Sequence, residues 1–166
     1  NIEEGGSGVE EIDIKYDGPS LDIGFNSSYL KEIINQFSLE EIAAAVEEAN
    51  NANLYVLAHA YLPTSITRAL ECGVRSIEHG NMIDSATCEL LIEKKAYLVP
   101  TMSTHEVLPI EGLKAGMPAD MLEKVAAVTE AGKINFPNAW KQGVRMAFGT
   151  DLLGTMHEHQ LLEFAL

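Results

Sequence analysis

The chain has 166 residues, 46% of them hydrophobic and 22% charged, a composition typical of one soluble globular domain with a buried core. Its formal net charge is −14, from 25 acidic and 11 basic residues. This excess of acid argues against nucleic acid as a partner, because a phosphate backbone needs Lys and Arg, and it favours a cytoplasmic protein. The sequence has no run of about 18 apolar residues, so we expect no membrane-spanning helix.

Residues 1–36 have the pattern of an antiparallel β-hairpin followed by a helix. The turn signal YDGP separates two arms with alternating apolar residues, and a helix is predicted from Asn26 onward. The segment lacks the apolar core of a signal peptide and does not begin with Met, so we expect a trimmed tag or a fragment. The pattern changes near Gln36, and we predict two domains, residues 1–36 and 37–166.

From Ser38 onward, predicted helices alternate with short apolar strands. The first helix opens with a capping box formed by Ser38 and Glu41. Strands are predicted in the segments LYVLAHAY, VRSIEHG, AYLVPTM and VRMAFGTD, with helices between them. Such a pattern is typical of a parallel sheet covered by helices, so the predicted fold class is α/β. Cys72 and Cys88 fall in predicted helices without a CxxC pair, and we interpret both as buried structural thiols.

Polar side chains follow each predicted strand at its carboxyl end. They are His59, the pair Glu78–His79, the pair Thr101 and Ser103, and Asp151. Because functional residues of parallel α/β folds gather at the carboxyl ends of the strands, the four placements together predict one site at that edge.

His59, His79 and Asp151 are the candidate metal ligands. Imidazole nitrogen and carboxylate oxygen are donors that Zn²⁺ and similar ions choose in hydrolytic sites. A carboxylate beside a metal-bound water can also accept its proton. The alternative is that each histidine is a satisfied core or cap residue and that Asp151 only caps the following turn.

The remaining histidines carry weaker predictions. His105 is expected in a loop after its strand, either solvated or in contact with a substrate. His157 and His159 lie two residues apart in a segment predicted to begin a helix, where such spacing does not bring two rings together, so we do not assign them to a metal. The absence of GxGxxG, GxxxxGK[ST] and GxSxG motifs removes the simplest nucleotide-binding and serine-hydrolase interpretations.

The segments VLAHAY, ALECGVRSIEHGNMID, AYLVPTMST and GVRMAFGTDLLGTMHEHQ together resemble the second half of a metal-dependent amidohydrolase, in the branch that includes prolidase-like and imidazolonepropionase-like proteins. The resemblance runs from about Phe37 to Leu166. It implies half of a (β/α)₈ TIM-type barrel, strands five to eight with their helices. It also implies a divalent metal, with Zn²⁺ as the expected ion, and hydrolysis of small amide substrates such as dipeptides or N-acyl amino acids.

By that resemblance, His59 and His79 match the metal-binding histidines that end strands five and six. Asp151 matches the aspartate of strand eight, which binds metal and moves the proton of the attacking water. Tyr61 matches a position near the substrate. The family also requires an HxH pair on strand one and, in its binuclear branch, a lysine on strand four; no histidine precedes His59 in this chain, and the earlier lysines lie in unrelated segments.

The segment GVEEIDIKYDGPSLDIGFNSSYLKEIINQ is similar to part of the third domain of the bacterial DNA polymerase sliding clamp. Together the two resemblances predict a chimera joined near Gln36. Two hypotheses remain open. The chain is either a metal-dependent hydrolase, weak or inactive without the missing ligands, or a catalytically silent half barrel whose open sheet is covered by a second copy in a homo-oligomer.

Overall fold

A computed structural model describes residues 37–114 and 116–166. The predicted hairpin and helix of residues 1–36 lie outside the described residues, and the boundary at residue 36 stays a prediction. The α-helices are α1 (Leu39–Asn51), α2 (Pro63–Glu71), α3 (Ser85–Lys94), α4 (Met102–Lys114) and α5 (Ala119–Gln142). The strands are β1 (Leu57–Ala60), β2 (Ser76–His79), β3 (Tyr97–Val99) and β4 (Arg145–Met146), and a 3₁₀ segment spans Gly154–Phe164.

The four strands form one parallel sheet in the order β1-β2-β3-β4, each paired with the next along the chain. Each crossover between neighbours contains a helix, as parallel pairing requires. The α/β prediction is therefore confirmed. Four strands are half the number in an eight-stranded barrel, which agrees with the predicted half barrel.

The two faces of this sheet differ in burial. One face packs against the helices, and its side chains Ile77 and Leu98 are fully buried together with Ile66, Leu70 and Leu91 of the helical layer. The other face carries the alternate residues, as the two-residue period of a strand dictates. On that face Leu57 is 48% exposed and Tyr97 is 42% exposed. The sheet therefore has one covered face and one open face.

Strand β4 is shorter than the sequence predicts. We expected it to end at Asp151, but it ends at Met146 and leaves the aspartate in the following loop. The last ladder bond runs from the Ala147 N–H to the Leu98 carbonyl, at 2.9 Å. The next bond would need an N–H at Pro100, which proline lacks. Pairing stops there because β3 cannot donate any further.

Both cysteines lie near helices, but only one is fully buried. Cys88 on α3 is 2% exposed, as expected. Cys72 is partly exposed at the C-cap of α2, where its thiol donates to the Leu39 carbonyl at 3.4 Å. The interpretation of Cys72 as a buried thiol is therefore wrong, because the C-cap of α2 lies at the edge of the buried core. No helix within the described ranges has the length and apolar character needed to cross a membrane.

Asp84 caps the amino end of α3, and its replacement by alanine should lower the free energy of unfolding by about 1 kcal/mol. Its carboxylate accepts from the Thr87 N–H at 2.8 Å and from the Thr87 hydroxyl at 2.6 Å. These bonds hold the pKa of Asp84 below its ordinary value. The cap therefore stabilises the fold above the ordinary pKa, and this stabilisation is lost as pH falls through the lowered one.

Urea denaturation of wild type and Asp84→Ala across the acidic range measures this effect. Asp84→Asn is the matched variant, since an amide oxygen still accepts from Thr87 but does not titrate. We expect Asp84→Asn to stay close to wild type near neutral pH, and the difference between Asp84→Ala and wild type to shrink in acid. Equal unfolding energies for all three proteins at neutral pH would contradict the cap's role.

Candidate active site

Two histidines meet at the carboxyl ends of β1 and β2. His59 Nδ1 lies 2.8 Å from His79 Nε2, and the two ring centroids are 4.9 Å apart. In the ladder His59 pairs with Glu78, so alternation alone would send the next side chain to the helical face. The φ of 79° at His79 ends the extended run there, and its ring lies against His59 instead. The predicted proximity of these two residues is present in the structure.

Thr101, just past the end of β3, fixes the orientation of the His79 ring. Its hydroxyl oxygen lies 2.8 Å from His79 Nδ1. If that nitrogen carries the proton and donates to Thr101, His79 Nε2 is the bare nitrogen that faces His59. Thr101 itself has a φ of 51° and is 3% exposed, a strained backbone held by buried surroundings. The sequence pattern predicts Thr101 at the strand end but indicates no partner for it.

Burial, together with smaller contributions from the neighbouring His59 and His105, lowers the pKa of His79 to about 4. His79 is 4% exposed, so its charged form would lose nearly all hydration. The imidazole is therefore neutral near pH 7, which is the form that ligates metals.

Tyr61 and His105 complete an aromatic cluster around His79. The Tyr61 ring stacks on the His79 ring with centroids 4.6 Å apart and planes 12° apart. His105 meets the same ring edge-on at 5.8 Å. The cluster therefore joins both predicted substrate-contact residues to the histidine pair.

The prediction that His105 lies in a loop is wrong, and so is the alternative that its ring is solvated there. His105 belongs to the first turn of α4 and is 5% exposed, with Nδ1 3.0 Å from the Thr101 carbonyl. The helix begins this early because the Glu163 carboxylate accepts from the N–H groups of Met102 and Ser103 at 3.0 and 2.6 Å. That cap comes from about 60 residues away, so no local start signal marks the helix.

Asp151 lies in the loop after β4 with a φ of 50°. The Thr104 hydroxyl donates to the Asp151 carbonyl at 3.0 Å, which ties the loop to α4. Burial, with a smaller contribution from the Asp151 carboxylate, raises the pKa of Tyr61. Asp151 also shares a cavity with Tyr61 and His105. The aspartate is thus a neighbour of the aromatic cluster.

The donors fit a divalent metal only in part. The facing nitrogens of His59 and His79 are two suitable ligands, yet residues 37–114 and 116–166 contain no group of three or more His, Cys, Asp or Glu side chains placed to hold a metal. His157 and His159 lie in the 3₁₀ segment, and His159 contacts Glu158. A complete metal centre needs further ligands.

Solved structures of hydrolases share this fold. A crystal structure of a prolidase complexed with N-methylphosphonate-L-proline is 48% identical, with a TM-score of 0.69 over 74% of this chain and 30% of that one. A Xaa-Pro dipeptidase with methionine bound in its active site is 35% identical, with a TM-score of 0.69 over 78% and 32% of the two chains. Ochratoxinase from Aspergillus niger is 34% identical over 116 residues, which are 70% of this chain and 24% of the enzyme.

A second match concerns the sliding clamp. The β sliding clamp of Pseudomonas putida is 38% identical over 45 residues, which are 27% of this chain and 12% of the clamp. The match supports the sequence resemblance over this short segment only.

This chain spans between about a quarter and a third of the hydrolases that it matches. Residues 27–166 match the family model described as the amidohydrolase family, whose members generally use a divalent metal and act on small amide or peptide substrates. The family model covers well over half of the sequence, and the strands, helices and histidine pair described above lie within the matched residues. The chain belongs to the amidohydrolase family.

Proposed function

We propose that this chain supplies one half of a metal-dependent active site that hydrolyses the amide bond of dipeptides or N-acyl amino acids. The observation that carries the proposal is the 2.8 Å approach of His59 Nδ1 and His79 Nε2 at neighbouring strand ends. The similarity to a prolidase, a Xaa-Pro dipeptidase and ochratoxinase supports hydrolysis as the reaction.

His59 and His79 would hold the metal, for which we propose Zn²⁺, through these two nitrogens. A bound divalent ion would lower the pKa of its water, so that hydroxide able to attack an amide is available near neutral pH. Thr101 keeps the His79 ring in place by its hydrogen bond to Nδ1. Asp151 is proposed as a further ligand and as the acceptor of the water's proton, while Tyr61 and His105 contact the substrate.

The remaining metal ligands have to come from outside the described residues. A strand-one HxH pair does not occur in the sequence before His59. We therefore propose that the chain alone is a weak catalyst and that a further segment or a second copy completes the site. We further propose that the protein works in the cytoplasm.

Hydrolysis of Xaa-Pro dipeptides and N-acyl amino acids by Zn²⁺-loaded protein tests the function. We expect slow turnover that a chelator removes, and a loss of about 10²- to 10⁴-fold in rate for Asp151→Asn, because the carboxylate that accepts the proton is gone. Asp84→Asn is the matched control, since it removes an equal charge at the α3 cap. Turnover that survives both the chelator and Asp151→Asn would overturn the proposal.

The open face of the sheet favours a second candidate, a catalytically silent half barrel that self-associates. Its surface forms a cavity of about 440 Å³ whose lining includes Tyr55, Leu57, Tyr97 and Phe148. All four are large hydrophobic side chains between 42% and 60% exposed. Such apolar area is unusual on a monomer surface, so we propose that a second copy covers it.

We also propose that residues 1–36 derive from a clamp-like sequence joined to the amidohydrolase segment. A sliding clamp needs a basic inner surface, whereas this chain has a net charge of −14. We therefore assign the segment no role in DNA binding.

A further inference from the structure

A cavity of about 310 Å³ lies beside the histidine pair, between α4, α5 and the loop that carries Asp151. Its polar lining includes Tyr61, Thr104, His105 and Asp151. Tyr61 and His105 both contact the His79 ring. The cavity therefore continues directly from the proposed reaction site.

Apart from Lys124, the rest of the lining is apolar. It is formed by Leu108, Met121, Val125, Val128, Leu153 and Met156. Met121 is 46% exposed and Leu153 is 70% exposed, so part of this lining is unburied hydrophobic surface. An apolar group that entered the cavity would remove that surface from water, whereas a polar group placed against the apolar side chains would lose hydration there.

The size and composition of the cavity limit its occupant. Its volume is at the lower end of the range for small-molecule sites, which suits one amino-acid side chain with its backbone amide and excludes a long peptide. The two methionines make the lining adaptable, because thioether side chains change shape at little cost. Several apolar side chains should therefore fit equally well.

We infer that this cavity is the specificity pocket of the site and binds the apolar side chain of the substrate residue, with the amide held at the end formed by Tyr61, His105 and Asp151. The inference rests on the proposed function in one respect, that the bound molecule is a substrate. The binding itself is independent of metal and of turnover. The substrate class is thus N-acyl or dipeptide amides with Leu, Met, Val or Phe-like side chains.

Methyl NMR of protein labelled at the methionine methyl carbons tests the pocket directly, because Met121 and Met156 line it and Met146 lies elsewhere on the fold. The probes are N-acetyl-L-leucinamide and N-acetyl-L-asparaginamide, whose side chains have nearly the same shape but opposite polarity. We expect the leucine compound to shift Met121 and Met156 with millimolar affinity, as its few atoms allow, and the asparagine compound to bind at least about tenfold more weakly.

Met121→Lys places a charge in the lining and should weaken binding of the leucine compound at least about fivefold. The methyl shift of Met156 reports binding in this variant. Leu153→Lys, at a more exposed position, serves the same purpose if the first variant does not fold. Ile134→Lys is the matched control, since Ile134 is a 65% exposed residue of α5 outside the cavity.

Equal shifts from both compounds, or undiminished binding by folded Met121→Lys or Leu153→Lys protein, would overturn the pocket. Hydrolysis of leucine substrates without shifts at Met121 and Met156 would also overturn it while the proposed function stands. Shifts without hydrolysis would support the pocket and count against the proposed function.

Discussion

Replacing His79 with alanine is expected to lower the affinity for Zn²⁺ on the order of 100-fold or more, because one of two convergent imidazole ligands is lost. Thr101→Val should lower the affinity for Zn²⁺ about 10- to 100-fold, since the ligand remains but the hydrogen bond that orients it is gone. Valine keeps the β-branched shape, so it adds little strain at the left-handed φ of this residue. Competition with a chelating dye near neutral pH measures all three affinities.

His157→Ala is the matched control, because it removes an exposed histidine of the 3₁₀ segment. We expect this variant to bind Zn²⁺ as wild type does. An affinity that is unchanged in His79→Ala, or a loss of the same size in His157→Ala, would exclude the His59–His79 pair as the metal site. Circular dichroism of each variant shows whether the fold is retained, since His79 is buried.

The sequence predicts the parallel sheet and the histidine pair because both depend on local pattern. Four short apolar strands alternate with helices, and the two histidines lie at the carboxyl ends of neighbouring strands, one position apart in the register. Parallel pairing brings these strand ends together, and the positive φ of His79 places its ring against His59. Strand ends are harder to predict. Asp151 lies beyond β4 because Pro100, which directly follows the partner strand β3, has no N–H to continue the ladder.

The position of His105 could not be predicted for a similar reason. Its helix is capped by Glu163, and residues so far apart in sequence leave no local signal. The same limit applies to Thr101, whose bond to His79 depends on the strained backbone of both residues. Long-range hydrogen bonds therefore determine the parts of the site that the sequence pattern leaves open.

Self-association should depend on the open face of the sheet. Leu57 on β1 and Tyr97 on β3 flank Ser76 in one row across the strands, and both are large exposed hydrophobic residues. In a parallel half barrel these are the side chains that a second layer would cover. If two copies pair through this face, each carries the same row, so a single substitution acts twice in a symmetric dimer.

Leu57→Glu is expected to raise the dissociation constant of the dimer by about 100-fold, because it removes an apolar contact and buries a carboxylate in its place. Ile110→Glu adds the same charge at a 61% exposed position on α4, away from the sheet, and should leave the dimer intact. Sedimentation equilibrium at micromolar concentration gives both constants. A wild-type chain that sediments as a monomer throughout this range, or two variants that weaken association equally, would rule out the open face as the contact between copies.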